Sequence, residues 1–346
     1  MPAIWEILFR KPKLSKYTNM LYARISGIAS YVPDDILDNE MLSKMVDTND
    51  EWITTRVGIK QRRILKQEGA GSSYMGAKAV EKLLADTGTS PEEVELLICA
   101  TSNPDYRFPS TGSVIAHEAK LANCYAYDIQ AACAGFLVAL EDAAAYVRSG
   151  LRKKVIVVAA EKMSSMVNYQ DRSTCALFGD GAAAVMVEPT EERTGVIDAV
   201  FHVDGDGRDH LIMPAGGSVL PTTHETVDAG QNFLQQDGRY VYKHAVTDML
   251  TSSLDVAQRN NLTMDDVDWL VPHQANLRII EAVASRAGIA QEKVLVNIEH
   301  YGNTSAASIP LCLDEYKDRL KKGDKIILTA FGAGFTWGAM YLIWDL

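Results

Sequence analysis

A cysteine at the start of an apolar helix is the residue of this sequence with the clearest chemical potential. Cys133 lies in the run Asp128–Phe136 (DIQAACAGF), where a β-branched and aromatic strand gives way to an alanine-rich helix. Unpaired backbone N–H groups and the positive end of the helix dipole stabilise a thiolate. We therefore expect a reactive thiol with a pKa below the roughly 8.5 of free cysteine. The alternative is an inert core residue, as most cysteines in apolar surroundings are.

Two further side chains lie where they could assist such a nucleophile. His273 follows Pro272 at the end of a buried strand, where α/β sheets collect their ligands. It could donate or carry a proton near neutral pH. Asn303 lies between Gly302 and Thr304, and its amide could donate to a developing oxyanion. The alternatives are a hydrogen-bonded structural histidine and an asparagine of a turn or a helix cap.

A glycine-rich run near the end of the chain could supply backbone donors. The run Phe331–Gly338 (FGAGFTWG) follows a buried strand and leads into another strand, so no helix N-terminus is available to bind a pyrophosphate. Its N–H groups could instead form half of an oxyanion hole. We expect its counterpart Gly179-Asp180-Gly181 to be a structural turn. The remaining cysteines are expected to be packing residues: Cys99, Cys124, Cys175 and Cys312.

An internal repeat indicates how these residues are positioned. Thr89–Ile98 and Leu262–Val271 lie 173 residues apart, and each combines an acidic turn with a buried strand. Gly150 and Gly323 share this offset, which points to duplicated halves. Strands that are apolar throughout and alternate with helices predict an α/β layer unit in each half. The helix after Cys133 is apolar almost all round, so we expect it between two sheets.

Composition limits the classes of protein to consider. The 346 residues suffice for two cores, and a net charge of -11 argues against general nucleic-acid binding. No apolar run reaches the roughly 18 residues of a membrane span. The five cysteines are unevenly spaced and include no C-x-x-C pair, which favours a reducing, cytoplasmic location over a disulfide framework or a zinc site.

The chain is expected to divide into three parts. Residues 1–20 combine an apolar run with a basic run and are predicted to be an extension outside the fold, with a short basic membrane-surface helix as the alternative. Residues 21–190 form the half that carries Cys133, and residues 191–346 the half that carries His273 and Asn303. The stretch 204–238 has few regular signals, and we expect it to fold over the mouth of the site.

Together these motifs resemble the β-ketoacyl-acyl-carrier-protein synthases of the thiolase fold, and in particular the type III, chain-initiating synthases. The likeness runs from about Tyr22 to Leu346. Seven motifs carry it in order: Asp50–Ile59, Phe108–Ser110, Ala131–Phe136, Phe178–Gly181, His273–Arg278, Gly302–Ser305 and Phe331–Gly338. The resemblance implies an α/β protein whose two duplicated halves pack as a five-layer αβαβα sandwich, and a homodimer.

The resemblance also implies an activity. It is that of an acyltransferase in fatty-acid biosynthesis, which condenses an acyl-CoA primer with malonyl-acyl-carrier protein through an acyl-cysteine, with loss of CO2 and without a metal or redox cofactor. Cys133, His273 and Asn303 would form its triad. Asparagine in place of a second histidine favours the initiating type, although chalcone-synthase-like enzymes share this triad.

Further residues acquire roles from the same resemblance. Backbone N–H groups of Cys133 and Ala333 would form the oxyanion hole, and a strained φ at Ala333 would cost more than at the glycine of some family members. The implied contacts to the acyl-CoA substrate are Trp52, Arg56, Arg172, Phe331 and Phe108, the last reaching the acyl pocket across a dimer interface. The implied contacts to the acidic carrier protein are Lys243, Arg278 and Arg286, for which solvated surface charge is the alternative.

Three other functions compete with this reading. An acyl-CoA condensing enzyme of secondary metabolism would share the fold and the triad. A non-catalytic protein that binds acyl-CoA would keep the fold and dispense with turnover. A nicotinamide oxidoreductase is disfavoured, because no glycine-rich loop follows the first strand and opens a helix.

Overall fold

Apolar strands alternate with helices through residues 21–346, the part of the chain that this computed structural model describes. The prediction for residues 1–20 lies outside the described residues. The strands are β1 (Tyr22–Tyr31), β2 (Ile36–Asp38), β3 (Gln61–Arg63), β4 (Leu96–Ala100), β5 (Tyr125–Ile129), β6 (Val155–Lys162), β7 (Asp180–Thr190), β8 (Gly195–Val203), β9 (Leu211–Ile212), β10 (Gln235–Gln236), β11 (Trp269–Pro272), β12 (Lys325–Gly332) and β13 (Thr336–Ile343). The α-helices are α1 (Asn39–Ser43), α2 (Asp50–Val57), α3 (Ser72–Thr87), α4 (Thr111–Glu118), α5 (Gly135–Arg148), α6 (Arg172–Cys175), α7 (His224–Asp228), α8 (Gly238–Arg259), α9 (Leu277–Ala287), α10 (Ile298–Tyr301) and α11 (Ser308–Tyr316).

The central sheet repeats one strand arrangement twice. Its order is β11-β12-β13-β8-β1-β7-β6-β4-β5. In the first half β4 runs parallel to β5 and β6, while β7 is antiparallel to β6 and β1. In the second half β11 runs parallel to β12, while β13 is antiparallel to β12 and β8. The halves meet where β1 and β8 pair at Ala23 and Val196.

Helices cover both halves of the sheet and also separate them. α3 and α4 pack on the first half, and α8 packs on the second with α9 beside it. The helix after Cys133, α5, contacts strands of both halves, among them β6 and β13. Its partner α11 contacts β1, β7 and β11. The predicted burial of this helix between the strand layers of the two halves is therefore confirmed, although these layers are joined in one sheet, and the layers run α, β, α, β, α.

The sequence repeat has a structural counterpart. The two acidic segments form 3-10 turns at Pro91–Glu93 and Met264–Asp266, each with a capping box. Gly150 and Gly323 both adopt positive φ, at 73° and 96°. The expected division near residue 190 falls between β7 and β8; it stays a prediction, since β1 and β8 join the halves in one sheet.

Within residues 21–346, no helix is both long and apolar enough to span a bilayer. The same part of the chain contains no cluster of three or more histidine, cysteine, aspartate or glutamate side chains arranged to hold a metal ion. All five cysteines lie in this part and are unpaired; Cys99, Cys175 and Cys312 are buried, as expected of packing residues, and Cys124 is partly buried.

Candidate active site

A cavity of about 890 Å³ draws its walls from both halves of the fold. Cys133, His273, Asn303 and Ala333, which sequence reasoning singled out separately, all line it. The stretch 204–238 contributes Leu211–Met213, Ala215–Gly217 and the residues Leu234, Gln236 and Gly238. The expectation that this stretch lies over the site agrees with these positions.

Cys133 owes its position to a strained turn between β5 and α5. It lies in the 3-10 turn Ala132–Ala134, and Ala132 holds a left-handed φ of 45°. A conformation that L-residues rarely adopt persists only where its surroundings enforce it. A Cβ added at Gly332 would lie 2.6 Å from the Cys133 nitrogen, so glycine is needed for β12 to pass this close. The backbone of the nucleophile and the glycine-rich run are therefore adjacent.

The backbone strain that we expected at Ala333 occurs instead at Gly334. Gly334 holds a φ of 142°, whereas Ala333 is not in the left-handed region. A Cβ on Gly334 would also come within 2.5 Å of the Thr336 hydroxyl oxygen. Alanine at position 333 thus keeps a backbone N–H at the cavity without the conformational cost anticipated for it.

The expected low pKa of Cys133 is wrong for the resting thiol. Burial raises the pKa of Cys133 to about 12, and a hydrogen bond with the Ser305 side chain offsets only part of this rise. Transfer of the sulfur out of water disfavours its charged, thiolate form. The thiol is therefore protonated at neutral pH, and its proton must be removed during the reaction.

His273 is buried at the end of β11 and is held on one side only. Its backbone N–H donates to the Thr329 carbonyl at 2.8 Å, and its Nδ1 lies 2.7 Å from the Ser308 Oγ. That oxygen also accepts the backbone N–H of Gln274 at 3.3 Å, so the Ser308 hydroxyl proton is available to Nδ1. Burial lowers the pKa of His273 to about 3. The ring is thus neutral, with Nε2 as its remaining donor.

Asn303 is oriented by the backbone around it. Its Oδ1 accepts the Ser305 N–H at 2.8 Å, which leaves the amide NH2 as the free donor at the cavity. Its backbone N–H donates to Leu177 at 2.8 Å and its carbonyl accepts from Gly179 at 3.1 Å. The backbone of Leu177 and Gly179 thus holds the loop. The structural turn expected at Gly179-Asp180-Gly181 is wrong for its last two residues, because Asp180 and Gly181 begin β7. The turn-forming role and the donor role coexist, because they use different atoms of one amide.

The residues expected to contact coenzyme A form a small aromatic and cationic group. Arg56 and Arg172 lie over the Trp52 ring, with their guanidinium carbons 5.8 and 5.4 Å from its centroid. Both arginines are exposed, and Trp52 is partly buried. Guanidinium and indole faces are surfaces on which an adenine ring can stack.

The two phenylalanines differ in their surroundings. Phe331 is buried, lines the cavity and packs against Phe335 with ring centroids 4.7 Å apart. Phe108 is 85% exposed and does not line the cavity of its own chain, although Tyr106 and Arg107 beside it do. Its ring is therefore accessible to a second molecule.

The three basic residues assigned to the carrier protein lie on adjacent helices. Lys243 is on α8, and Arg278 and Arg286 are on α9, which packs against α8. All three are exposed and form no salt bridge with any residue between 21 and 346. Arg278 is flanked by Asn276 and Ile279, which line the cavity.

Sequence reasoning missed three polar residues at the site. Ser308 is the partner of His273, Ser305 is the partner of Cys133, and Glu161 is a fully buried carboxyl that also interacts with Ser305. The internal repeat could have identified one of the three, because Ser305 lies 173 residues after Ala132, which directly precedes Cys133. No pattern in the sequence marks Glu161, which ends an apolar strand.

Comparisons with known proteins agree with this geometry. The family profile described as 3-oxoacyl-[acyl-carrier-protein] synthase III matches residues 127–205, and the profile of its C-terminal part matches residues 257–344. A β-ketoacyl-[acyl-carrier-protein] synthase III of Bacteroides thetaiotaomicron is 58% identical over 322 residues, which cover 93% of this chain and 96% of the relative.

Two solved structures add to these matches. The 3-oxoacyl-[acyl-carrier-protein] synthase III of Aquifex aeolicus is similar with a TM-score of 0.85 and 41% identity, covering 93% of this chain and 100% of that one. The priming β-ketosynthase from the R1128 polyketide biosynthetic pathway is similar with a TM-score of 0.86 and 34% identity, covering 94% and 96%. This protein belongs to the 3-oxoacyl-[acyl-carrier-protein] synthase III family.

Proposed function

We propose that this protein catalyses the decarboxylating Claisen condensation of an acyl-CoA primer with malonyl-acyl-carrier protein, the step that initiates fatty-acid synthesis. One observation carries the proposal: a thiol at a helix start, a neutral imidazole and a free amide NH2 share one cavity. The relatives named β-ketoacyl-[acyl-carrier-protein] synthase III support it.

In the first half-reaction the Cys133 sulfur attacks the thioester carbonyl of the acyl-CoA. The Sγ–C bond forms, the bond to the coenzyme A sulfur breaks, and coenzyme A leaves as its thiol, because its sulfur takes up a proton for the one that Cys133 loses. Backbone N–H groups of Cys133 and Ala333 hold the tetrahedral oxyanion, which the close approach of Gly332 to the Cys133 nitrogen supports. A covalent intermediate suits the task, because the acyl group must wait for the second substrate.

In the second half-reaction malonyl-acyl-carrier protein loses CO2 and becomes an enolate. His273 Nε2–H and the Asn303 amide donate to its oxygen, each contributing on the order of 3 kcal/mol as a preorganised donor. The enolate carbon attacks the acyl-Cys133 carbonyl, and the Cys133 sulfur leaves with its bonding electron pair. Decarboxylation itself generates the carbanion, so the proposed reaction requires no metal or redox cofactor.

The substrates are held by residues around the cavity. Trp52, Arg56 and Arg172 stack on the adenine of coenzyme A, and Phe331 contacts the acyl group. Lys243, Arg278 and Arg286 attract the acidic carrier protein to the mouth of the site. We also propose a homodimer in which the exposed Phe108 enters the acyl pocket of the second copy, and a cytoplasmic location, which five unpaired cysteines support.

Intact-mass analysis after exposure to acetyl-CoA tests the proposal. The protein should gain one acetyl group, Cys133→Ala should gain none, and Cys124→Ala should behave as the unchanged chain because that thiol lies away from the cavity. A chain that binds acetyl-CoA but never becomes acetylated would be a binding protein, and the proposal would be wrong.

A second candidate is the priming step of polyketide synthesis. The similarity to the priming β-ketosynthase of the R1128 pathway favours it. A panel of acyl-CoA primers, followed by malonyl-CoA or malonyl-acyl-carrier protein, separates the two. Condensation with malonyl-CoA as readily as with the carrier-bound form would favour the second candidate.

A further inference from the structure

A buried arginine without a carboxylate partner lies between the helices of Trp52 and Arg172 and the loop of Asn303. Arg62 is the middle residue of β3 and is 0% exposed. It forms no salt bridge with any residue between 21 and 346. Burial lowers its pKa to about 10, so the guanidinium remains charged at neutral pH. A buried charge without a counter-ion is costly, so its hydrogen bonds must satisfy it.

One edge of the guanidinium holds the segment that supports Asn303. Nε donates to the Ala176 carbonyl at 3.2 Å, and one of the terminal nitrogens donates to the same oxygen. Ala176 is the C-cap of α6, the helix of Arg172. The next residue, Leu177, accepts the backbone N–H of Asn303 at 2.8 Å. The guanidinium therefore fixes the segment on which the Asn303 loop rests.

The stem of Arg62 packs against the same two segments. Phe178 and Asn303 form a parallel β-bridge there, with a glycine next to each of them. A Cβ added at Gly302 would lie 3.2 Å from the Arg62 Cγ, and one added at Gly179 would lie 3.2 Å from the Arg62 Cβ. The two glycines thus allow both backbone segments to lie directly against the arginine stem.

The other terminal nitrogen is connected to the helix of Trp52. It donates to Asn39 Oδ1 at 2.6 Å, and Asn39 is 2% exposed. Asn39 Nδ2 donates in turn to Asp50 Oδ1 and to the Ile59 carbonyl, both at 2.8 Å. Asp50 is the first residue of α2, which carries Trp52 and Arg56. Two consecutive hydrogen bonds therefore join the guanidinium to α2.

We propose that Arg62 is a positioning residue for both half-reactions: it sets the spacing of α2 and α6, which hold coenzyme A, and the position of the Asn303 amide. The inference rests on the proposed function. Arg62 does not line the cavity, and it acts through Asn39 and the Ala176 carbonyl. The planar fork of a guanidinium reaches both partners at once, which the compact ammonium of lysine cannot do.

Arg62→Lys tests the inference with three measurements. The Kd for coenzyme A, measured by calorimetry, should rise about 5-fold, the effect of a loosened cation–π stack. CO2 release from malonyl-pantetheine, which lacks the adenine, should fall about 10-fold, because a misplaced donor stabilises the enolate poorly. Acetylation of Cys133 by acetyl-pantetheine should be unchanged, because the hydrogen bonds of Arg62 do not lead to the turn that carries Cys133.

This pattern differs from that of a merely structural residue. A smaller folded fraction would slow acetylation and CO2 release equally and would leave the Kd for coenzyme A unchanged. If Arg62→Lys gives that result, or alters none of the three quantities, the inference is wrong.

Arg63→Lys is the matched control. Arg63 is the next residue of β3, and it also donates to backbone carbonyls, those of Pro33 and Asp34 at 3.2 and 3.5 Å. Its side chain has no hydrogen bond to Asn39 or Ala176. All three measurements should be unchanged in this variant. A pattern like that of Arg62→Lys would mean that loss of any guanidinium from β3 has this effect, which would overturn the inference.

Asn39→Asp interrupts the connection to α2 alone, and it decides the question if Arg62→Lys does not fold. Aspartate keeps an acceptor for Arg62 but presents a carboxylate, in place of an amide N–H, to Asp50. The Kd for coenzyme A should rise about 5-fold, as in Arg62→Lys, whereas CO2 release from malonyl-pantetheine should be unchanged. An unchanged Kd, or a fall in CO2 release, would contradict the inference.

The same measurements separate this inference from the proposed function. If the unchanged chain is never acetylated and releases no CO2, the proposed function fails. The positioning of α2 and α6 then stands if Arg62→Lys and Asn39→Asp weaken the binding of coenzyme A and Arg63→Lys does not, and it fails otherwise. If the unchanged chain performs both reactions and Arg62→Lys alters neither coenzyme A binding nor CO2 release, the inference fails and the proposed function stands.

Discussion

Ala132 and Ser305 are equivalent residues of the two halves, 173 positions apart, and both hold a left-handed backbone, with φ of 45° and 50°. Each opens a 3-10 turn that leads into a central helix, α5 in the first half and α11 in the second. Cys133 directly follows the first, and Asn303 lies two residues before the second. The duplicated fold thus brings one strained turn from each half to a shared cavity.

Asn303→Asp should separate the two half-reactions. Aspartate keeps an oxygen for the Ser305 N–H but replaces the amide NH2 with an acceptor, which repels an enolate. Acetylation of Cys133 should continue, and CO2 release from malonyl-acyl-carrier protein should fall about 100-fold or more.

The chain contains a matched control for this change. Asn168 accepts the N–H of Gln170, two residues on, in the same manner at 2.9 Å, but it does not line the cavity. Asn168→Asp should leave CO2 release unchanged. Equal losses in both variants would mean that the effect of Asn303→Asp is structural.

Much of the fold could be predicted because its signals are local. The apolar strands β6 and β12 and the helix α5 are buried on nearly all sides, and sequences of this kind have few other ways to exclude water. The internal repeat indicates how the two halves correspond, and it therefore predicts that Cys133 and the loop around Asn303 lie in the same region.

The electrostatics of the site could not be predicted in this way. A helix start suggested a low pKa for Cys133, but burial raises this pKa, and the interactions with Ser305 and Glu161, which also shift it, involve residues distant in sequence. The course of the stretch 204–238 could not be predicted either, because two-residue strands such as β9 and β10 leave no periodic pattern in the sequence. Contacts between residues distant in sequence determine both the pKa of Cys133 and the course of this stretch.

The neutral state of His273 gives a pH prediction. Burial lowers the pKa of His273 to about 3, so the ring stays uncharged down to that pH, and an ordinary histidine would be protonated below about 6.5. In a Cys133→Ala background, which removes the thiol, decarboxylation of malonyl-CoA should be constant from about pH 5 to about pH 8. A change in rate near pH 6.5 would show that the imidazolium takes part.

Ser308→Ala in the same background tests how the ring is oriented. Without the hydroxyl, Nδ1 loses its partner at 2.7 Å and nothing selects the tautomer that bears hydrogen on Nε2. Decarboxylation should fall about 10-fold, since one hydrogen bond contributes about 1 kcal/mol or somewhat more. An unchanged rate would mean that the buried ring is held by packing alone.

Trp52→Ala should weaken binding of coenzyme A thioesters specifically. The indole lies beneath two guanidinium groups, at 5.4 and 5.8 Å, and its removal opens the stack expected to hold adenine. The KM for acetyl-CoA should rise about 10-fold, with little change in kcat, since stacking of this kind contributes about 1–2 kcal/mol. Acetyl-pantetheine, which lacks the adenine, should be used equally well by both proteins. An equal loss with both substrates would place the defect elsewhere.

Arg278→Glu should slow the reaction with the carrier protein and leave priming intact. The side chain is exposed beside the cavity residues Asn276 and Ile279, and reversal of its charge repels an acidic partner during approach. The KM for malonyl-acyl-carrier protein should rise about 10-fold at low ionic strength and less at high salt, because salt screens exposed charges. Lys153→Glu is the matched control, since Lys153 is exposed just before β6, at the end of that strand opposite Glu161. If both reversals raise the KM equally, net charge rather than a local basic surface governs the encounter, and the role proposed for Arg278 would be wrong.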